Sequence, residues 1–89
     1  MGLKKVVDVE LKDTVELMLS SDFKERFKGE YYQDKNRTEG LKKMLEAYKA
    51  GTLPFKPKSD YELLYEQYIH MKAKLKVLKE RARIEGIEL

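Results

Sequence analysis

Apolar side chains recur at alternating spacings of three and four residues along the C-terminal part of the chain. The series is Tyr61, Leu64, Tyr68, Met71, Leu75, Leu78 and Ala82. A heptad seam of this kind is typical of a helix that packs lengthwise against another helix. Since 89 residues leave room for one small domain, the seam predicts a helical hairpin whose other arm is an earlier helix of the same chain.

Capping residues mark two helices before this one. Asp13 and Asp22 are each followed three positions later by a glutamate, a pattern that predicts a short helix after Asp13 and a long helix after Asp22. Gly51 is the predicted end of the long helix, which then covers about residues 23–50.

The connector between the two long helices is short and contains both prolines of the chain. A connector of this length predicts that the long helices run antiparallel. Ser59 is the predicted N-cap of the last helix, with Glu62 three residues later. That helix is expected to run to about Ile84 and to end at Gly86 in a Schellman motif, which the apolar Ile87 covers.

The last helix carries a second row of residues, one every heptad: Leu63, His70, Val77 and Ile84. On a helical wheel this row lies about 100° from the row of Leu64, Met71 and Leu78. A hairpin buries only one apolar seam, so the second row must be buried against another part of the chain or against another protein. We expect the short N-terminal helix to shield part of it and a neighbouring protomer to shield the rest, which predicts a homo-oligomer.

The N-terminal residues show a weak alternation of apolar positions at Val7, Val9 and Leu11, which predicts a short strand or an extended arm. We therefore expect an arm over 1–12 and a hairpin domain over 13–89. The predicted fold class is all-α: an antiparallel helical hairpin of two long helices with a short N-terminal helix, assembled as an oligomer.

The middle of the first long helix is polar where its apolar register predicts core, at Glu30, Asp34 and Arg37. A bend that turns these residues to water is one explanation, and a buried polar layer or a pocket between subunits is the other. Tyr31 and Tyr32 lie within this stretch, between Glu30 and Asp34. Because adjacent residues point about 100° apart on a helix, we do not expect both rings to lie in the core.

Several classes of site have no support in the sequence. There is no cysteine and a single histidine, so neither a metal site nor a histidine- or cysteine-based catalytic centre is expected. The glycines are isolated, so no phosphate-binding loop is predicted, and no cofactor is expected. Lysine and glutamate alternate along both long helices, which does not favour a nucleic-acid binder. No apolar stretch is long enough to span a membrane, and the absence of cysteine fits an intracellular location.

Recognition of a ligand remains, since aromatic rings stand among basic residues. Phe27 follows Arg26, and Tyr31 and Tyr32 precede Arg37. Rings and guanidinium groups together can stack on a base and hold its phosphates. The alternative is that these aromatic residues form the hydrophobic core.

Several longer segments resemble a family of small phage and prophage proteins related to a crAss-like phage protein of unknown function. The similarity covers about residues 13–89 and rests on the segments Asp22-Phe-Lys-Glu-Arg-Phe-Lys-Gly-Glu-Tyr-Tyr-Gln, Gly51-Thr-Leu-Pro-Phe-Lys-Pro and Leu78-Lys-Glu-Arg-Ala-Arg-Ile-Glu-Gly-Ile-Glu-Leu.

The hairpin layout, with Gln67, Met71 and an arginine pair late in the last helix, is also similar to the phage nucleotide sponges that act against CBASS and Thoeris immunity. This resemblance implies a non-enzymatic protein that sequesters a cyclic oligonucleotide or a cyclic ADP-ribose-type molecule in the cytoplasm of the bacterial host. The alternative is a helical adaptor or inhibitor that binds a host protein. The candidate ligand-binding residues are Arg26, Tyr31, Arg37, Lys42, Lys43, Arg81 and Arg83.

Overall fold

A computed structural model describes residues 9–89 of the chain, and that part contains helices and no strand. A 3₁₀ turn at Leu11–Asp13 leads into helix α1 at Thr14–Leu19, helix α2 at Phe23–Ala50 and helix α3 at Tyr61–Glu85. Helices α2 and α3 form the antiparallel hairpin, and α1 is the short N-terminal helix, so the predicted all-α hairpin is confirmed, whereas its assembly as an oligomer stays a prediction. Most of the expected N-terminal arm lies outside the described residues.

Local capping chemistry sets both ends of α2. Asp22 Oδ1 accepts a hydrogen bond from the Lys24 backbone N–H at 2.9 Å, which satisfies one of the donors left free in the first turn. At the other end Gly51 has φ +76°, a left-handed conformation that favours glycine. The Thr52 N–H then reaches back to the carbonyl of Ala47 at 2.9 Å, which closes a Schellman motif.

Helix α3 begins one residue later than its expected cap implies. The side chain of Asp60, and not Ser59, accepts from the backbone N–H of the third helical residue at 2.9 Å. Ser59 and Asp60 can both cap a helix, and Asp60 is favoured because its negative carboxylate is attracted to the partial positive charge of the helix N-terminus. The C-terminal prediction is confirmed: Gly86 has φ +71°, and the buried Ile87 donates its N–H to Ala82 O at 2.8 Å.

Asp13 occupies the N-cap position of the short helix α1, as predicted, but its side chain makes no cap hydrogen bond to that helix. Its carboxylate instead accepts from the Glu10 backbone N–H at 3.0 Å and so belongs to the preceding 3₁₀ turn. Thr14, the first residue of α1, is fully buried and donates its hydroxyl to Leu11 O at 2.7 Å. The chain therefore enters α1 from a short 3₁₀ turn, and the junction is held by Thr14.

Both adjacent tyrosines of α2 lie in the core, which contradicts the expectation from their angular separation. Tyr31 and Tyr32 are each 5% exposed, and their rings meet edge to face at 5.0 Å between centroids. Two faces of the N-terminal half of α2 are covered, one by α3 and the other by α1 and the segment before it. A helix covered on two sides buries side chains that point about 100° apart.

Helix α1 packs on α2 and makes no contact with α3, so the expectation that α1 shields part of the second row is wrong. Close approach of α1 depends on Gly29, where an added Cβ would lie 2.7 Å from Met18 Cγ. The apolar members of the second row are consequently open to solvent: Leu63 is 57% exposed, Val77 58% and Ile84 67%.

A charged layer between the long helices accounts for two of the three polar residues in the middle of α2. Lys74 Nζ of α3 lies 3.0 Å from a carboxylate oxygen of Glu30 and 2.8 Å from Asp34 Oδ2. Hydrogen bonds to Asp34 and then to Glu30 raise the pKa of Lys74. Arg37 is exposed, so the layer consists of Glu30, Asp34 and Lys74.

Candidate ligand-binding groove

Four of the seven predicted site residues belong to the free end of the hairpin, away from the connector. Tyr31 is in the core there, so its ring has no open face for a base. The guanidinium of Arg81 lies over the ring of Phe27, 4.9 Å from its centroid. Arg26 Nη1 donates to the carbonyl of Ser20 at 2.9 Å.

Both arginines late in α3 are held by glutamates of the same helix. Arg81 Nε lies 2.9 Å from Glu85 Oε2, and Arg83 Nη2 lies 2.6 Å from Glu80 Oε2. These hydrogen bonds raise the pKa values of both arginines, and the bond from Arg83 lowers the pKa of Glu80. The pairs are exposed, so a ligand phosphate can replace either glutamate at small cost.

The three other predicted residues, Arg37, Lys42 and Lys43, follow one another along the exposed surface of α2. Of these three, Lys42 lines a concave surface between the two long helices. The structure therefore does not bring the seven residues together within one chain: Lys42 stands toward the connector, and the set of Arg26, Tyr31, Arg81 and Arg83 stands at the opposite end.

The concave surface beside Lys42 is a groove between the C-terminal half of α2 and the N-terminal half of α3. It encloses about 480 Å³, a volume within the usual range of small-molecule sites. We call it the tyrosine–lysine groove, and its lining consists of Lys42, Leu45, Glu46, Lys49, Ala50, Tyr61, Tyr65 and Tyr68.

Aromatic rings form the α3 wall of the tyrosine–lysine groove. Tyr61 and Tyr65 are nearly parallel, with 11° between their planes and 6.0 Å between centroids. Tyr68 continues the series at 6.2 Å from Tyr65, and Tyr48 of α2 supports Tyr61 in an edge contact at 5.5 Å. Tyr65 is 45% exposed, so this wall offers a planar aromatic surface to a ligand.

Positive charge borders the aromatic wall. Lys49 Nζ lies 5.5 Å from the centroid of the Tyr61 ring, and Lys72 Nζ lies 5.4 Å from that of Tyr68. Lys42 lines the same groove, and Glu46 is the acid among the lining residues. Ammonium groups beside ring faces can bind a phosphate while the rings bind a planar base, and Glu46 can accept a hydrogen bond from an amino or hydroxyl group.

The groove is not among the sites predicted from the sequence, although the spacing of its tyrosines indicates an aromatic surface. Tyr61, Tyr65 and Tyr68 occur at spacings of four and three, which places all three on one side of a helix. Tyr61 and Tyr68 also belong to the apolar seam, and packing in the seam accounts for both residues without a ligand. Lys49 carried no signal of its own, because its position opposite Tyr61 depends on how the hairpin pairs.

Two further observations concern the described part of the chain. Residues 9–89 contain no group of three or more acidic, histidine or cysteine side chains placed to hold a metal ion. None of the helices over the same range is long and apolar enough to cross a membrane.

Comparison with protein families gives a match over most of the chain. The family model of Sequestin matches residues 21–84, a stretch that contains α2, the connector and nearly all of α3, and with them the whole tyrosine–lysine groove. The family name denotes sequestration, which is a binding role. No curated protein and no solved structure matches the chain. The chain therefore belongs to the Sequestin family.

Proposed function

We propose that this protein is a phage-encoded sponge that sequesters a cyclic nucleotide immune signal in the cytoplasm of the bacterial host. The observation that carries the proposal is the tyrosine–lysine groove, where three tyrosines and two lysines line one open space. The ligand class is a cyclic oligonucleotide or a cyclic ADP-ribose-type molecule, both of which combine planar bases with phosphates.

Base recognition is assigned to the tyrosine wall. Tyr65 is the most accessible of the three rings, and its neighbour Tyr61 holds it nearly parallel. A ring that is held before binding loses little conformational freedom when a base stacks on it. Stacking of a base on an aromatic side chain contributes about 1–3 kcal/mol.

Phosphate recognition is assigned to Lys42 and Lys49. Both belong to α2 and line the groove opposite the tyrosines, so one ligand can contact rings and ammonium groups together. Charge-assisted hydrogen bonds of this kind are roughly twice as strong as neutral ones. Since the lysines are exposed to solvent, binding is expected to weaken as salt rises.

Sequestration requires tight binding and no bond cleavage, which agrees with the binding role that the family name denotes. The predicted arginines, Arg26, Arg37, Arg81 and Arg83, enter the proposal as contacts from a second protomer. They are exposed, so association of two chains can bring one or more of them to a ligand in the groove.

The direct test is binding of a ligand panel to the purified protein. Cyclic dinucleotides, cyclic trinucleotides and cyclic ADP-ribose isomers are compared with linear mononucleotides by thermal shift and calorimetry. A ligand that binds only the folded state raises the melting temperature, and the proposal expects this for at least one cyclic nucleotide. The bound ligand should be recovered unchanged after the protein is denatured. Absence of a shift with every member of the panel would refute the proposal.

Neighbouring lysines supply a matched pair for locating the phosphate contact. Lys42 lines the groove and Lys43 does not, although both are exposed residues of the same helix. Lys42→Ala is expected to weaken binding about tenfold, the loss of one charge-assisted contact, and to lessen the salt dependence. Lys43→Ala should leave both unchanged, and equal effects of the two substitutions would argue against the groove.

A second candidate function, a protein-interaction adaptor or inhibitor that binds a host protein, is favoured by the exposed row of Leu63, Val77 and Ile84. The two candidates differ in the ligand panel: an adaptor gives no thermal shift with nucleotides. They also differ in the substitutions that abolish function, since changes in the groove would leave an adaptor unaffected.

A further inference from the structure

We propose that two copies of this chain associate through the outer face of α3, with the two α3 helices antiparallel around a two-fold axis near Ala73. The proposal is independent of the proposed function, because it concerns the side of α3 that faces away from α2. The outer face is defined here by Leu63, His70, Ala73, Val77 and Ile84.

Exposure of apolar side chains on this face is the first observation. Leu63, Val77 and Ile84 are each more than half exposed, and α1 does not cover them, because it packs on α2 and the 3₁₀ turn and not on α3. Large apolar side chains aligned on one exposed face are typical of an interaction surface, whereas scattered ones are not.

The spacing of the face fits a second copy of itself. Leu63 lies as far before the midpoint between residues 73 and 74 as Ile84 lies after it, and His70 and Val77 are related in the same way. In an antiparallel pair with its two-fold axis at this midpoint, Leu63 therefore meets Ile84 of the partner subunit, and His70 meets the partner's Val77. A two-fold interface requires self-complementarity of this kind.

Charge selects the antiparallel arrangement over the parallel one. Between residues 61 and 70, α3 has two glutamates and neither lysine nor arginine, whereas residues 71–85 contain six basic and two acidic residues. Antiparallel pairing places the acidic half of one helix beside the basic half of the other, and parallel pairing places like charges together. Like charges across an interface oppose association.

Ala73 stands beside the axis and is exposed. A small side chain at this position lets the two helix backbones approach closely, while the larger residues toward each end fill the space on either side.

Measurement of mass in solution tests the interface without any ligand. Sedimentation equilibrium at micromolar concentration should give twice the chain mass of 10.5 kDa. Val77→Glu combined with Ile84→Glu should give the single chain mass with unchanged helical circular dichroism, since both residues are exposed in the hairpin. The matched control is Leu19→Glu, an apolar residue of α1 that is 81% exposed and should leave the dimer intact.

Cysteine cross-linking tests the direction of the helices, because the chain has no cysteine of its own. Ala73→Cys should form a disulfide-linked dimer on mild oxidation. Ile84→Cys alone should not, since an antiparallel pair separates its two copies by about 30 Å. Cross-linking of Ile84→Cys and not of Ala73→Cys would indicate parallel helices and overturn the proposal. A monomeric wild-type protein, or a dimer that persists in the Val77→Glu, Ile84→Glu variant, would overturn it as well.

Discussion

Two tyrosine substitutions show whether the ligand binds in the tyrosine–lysine groove or at the free end of the hairpin. Tyr65 is 45% exposed in the groove, and Tyr31 is 5% exposed in the core. Tyr65→Ala removes a ring that a base can stack on, and stacking is worth about 1–3 kcal/mol. We therefore expect the dissociation constant of the ligand complex to rise about ten- to hundredfold in Tyr65→Ala, with little change in the melting temperature of the protein.

Tyr31→Ala is expected to act on stability instead. Truncation of a buried aromatic side chain costs about 3–5 kcal/mol, a large part of the total stability of a small domain. For a chain of this size each kcal/mol lowers the melting temperature by about 4–8 °C, so a fall of at least about 12 °C is expected. The affinity of the folded fraction should stay at the wild-type value.

The assay measures both quantities on each variant: melting by circular dichroism without ligand, and affinity by calorimetry well below the melting temperature. If Tyr31→Ala does not fold, Tyr31→Leu, which leaves a smaller cavity, takes its place. Loss of affinity in the Tyr31 variant with an unchanged melting temperature would place the site at the free end of the hairpin. Wild-type affinity in Tyr65→Ala would refute the assignment of base recognition to the groove.

Two further predictions concern stability. Gly40 has open space around it, so Gly40→Ala should stabilise α2 by about 0.5–1 kcal/mol. Gly29→Ala should destabilise the protein, because its Cβ would lie 2.7 Å from Met18 Cγ and overpacking costs about 1–3 kcal/mol. Urea denaturation measures both, and equal stabilisation would contradict the packing of α1. The second of these predictions, after the pair of glycine substitutions, concerns the stability of the protein at alkaline pH. Burial and then Glu39 raise the pKa of Tyr31, and hydrogen bonds raise the pKa of Lys74. The contributions of these two groups to the free energy of unfolding are therefore complete below about pH 10 and are lost as the pH rises above it. A melting temperature that stays constant to about pH 11 would contradict this.

The helix ends could be predicted from sequence because capping is local chemistry. Gly51 and Gly86 end their helices in the left-handed conformation, as their positions after apolar segments imply. The N-cap of α3 was displaced by one residue, since Ser59 and Asp60 are both capping residues and stand side by side. A local pattern locates such a boundary and does not choose between neighbours.

Burial of Tyr32 and the location of the groove could not be predicted, because both depend on contacts between distant parts of the chain. The register of α2 identifies one buried face, and the second face exists because α1 packs at Gly29. Periodicity likewise places Tyr61 and Tyr65 on one side of α3, but which lysines of α2 stand opposite them is set by the pairing of the two helices.

That pairing is constrained by the charged layer in the middle of the hairpin. An apolar seam alone tolerates sliding, since one apolar contact can replace another. Asp34 Oδ2 is buried, and its close partner is Lys74 Nζ at 2.8 Å, so a shift of α3 along α2 would leave a buried carboxylate without its counter-charge. Because the Lys74 side chain is half exposed, the cost of such a shift is that of leaving the buried acceptor Asp34 Oδ2 unpaired, about 1–3 kcal/mol. The polar residues that interrupt the seam of α2 therefore fix the alignment that sets Lys42 and Lys49 opposite the tyrosines of α3.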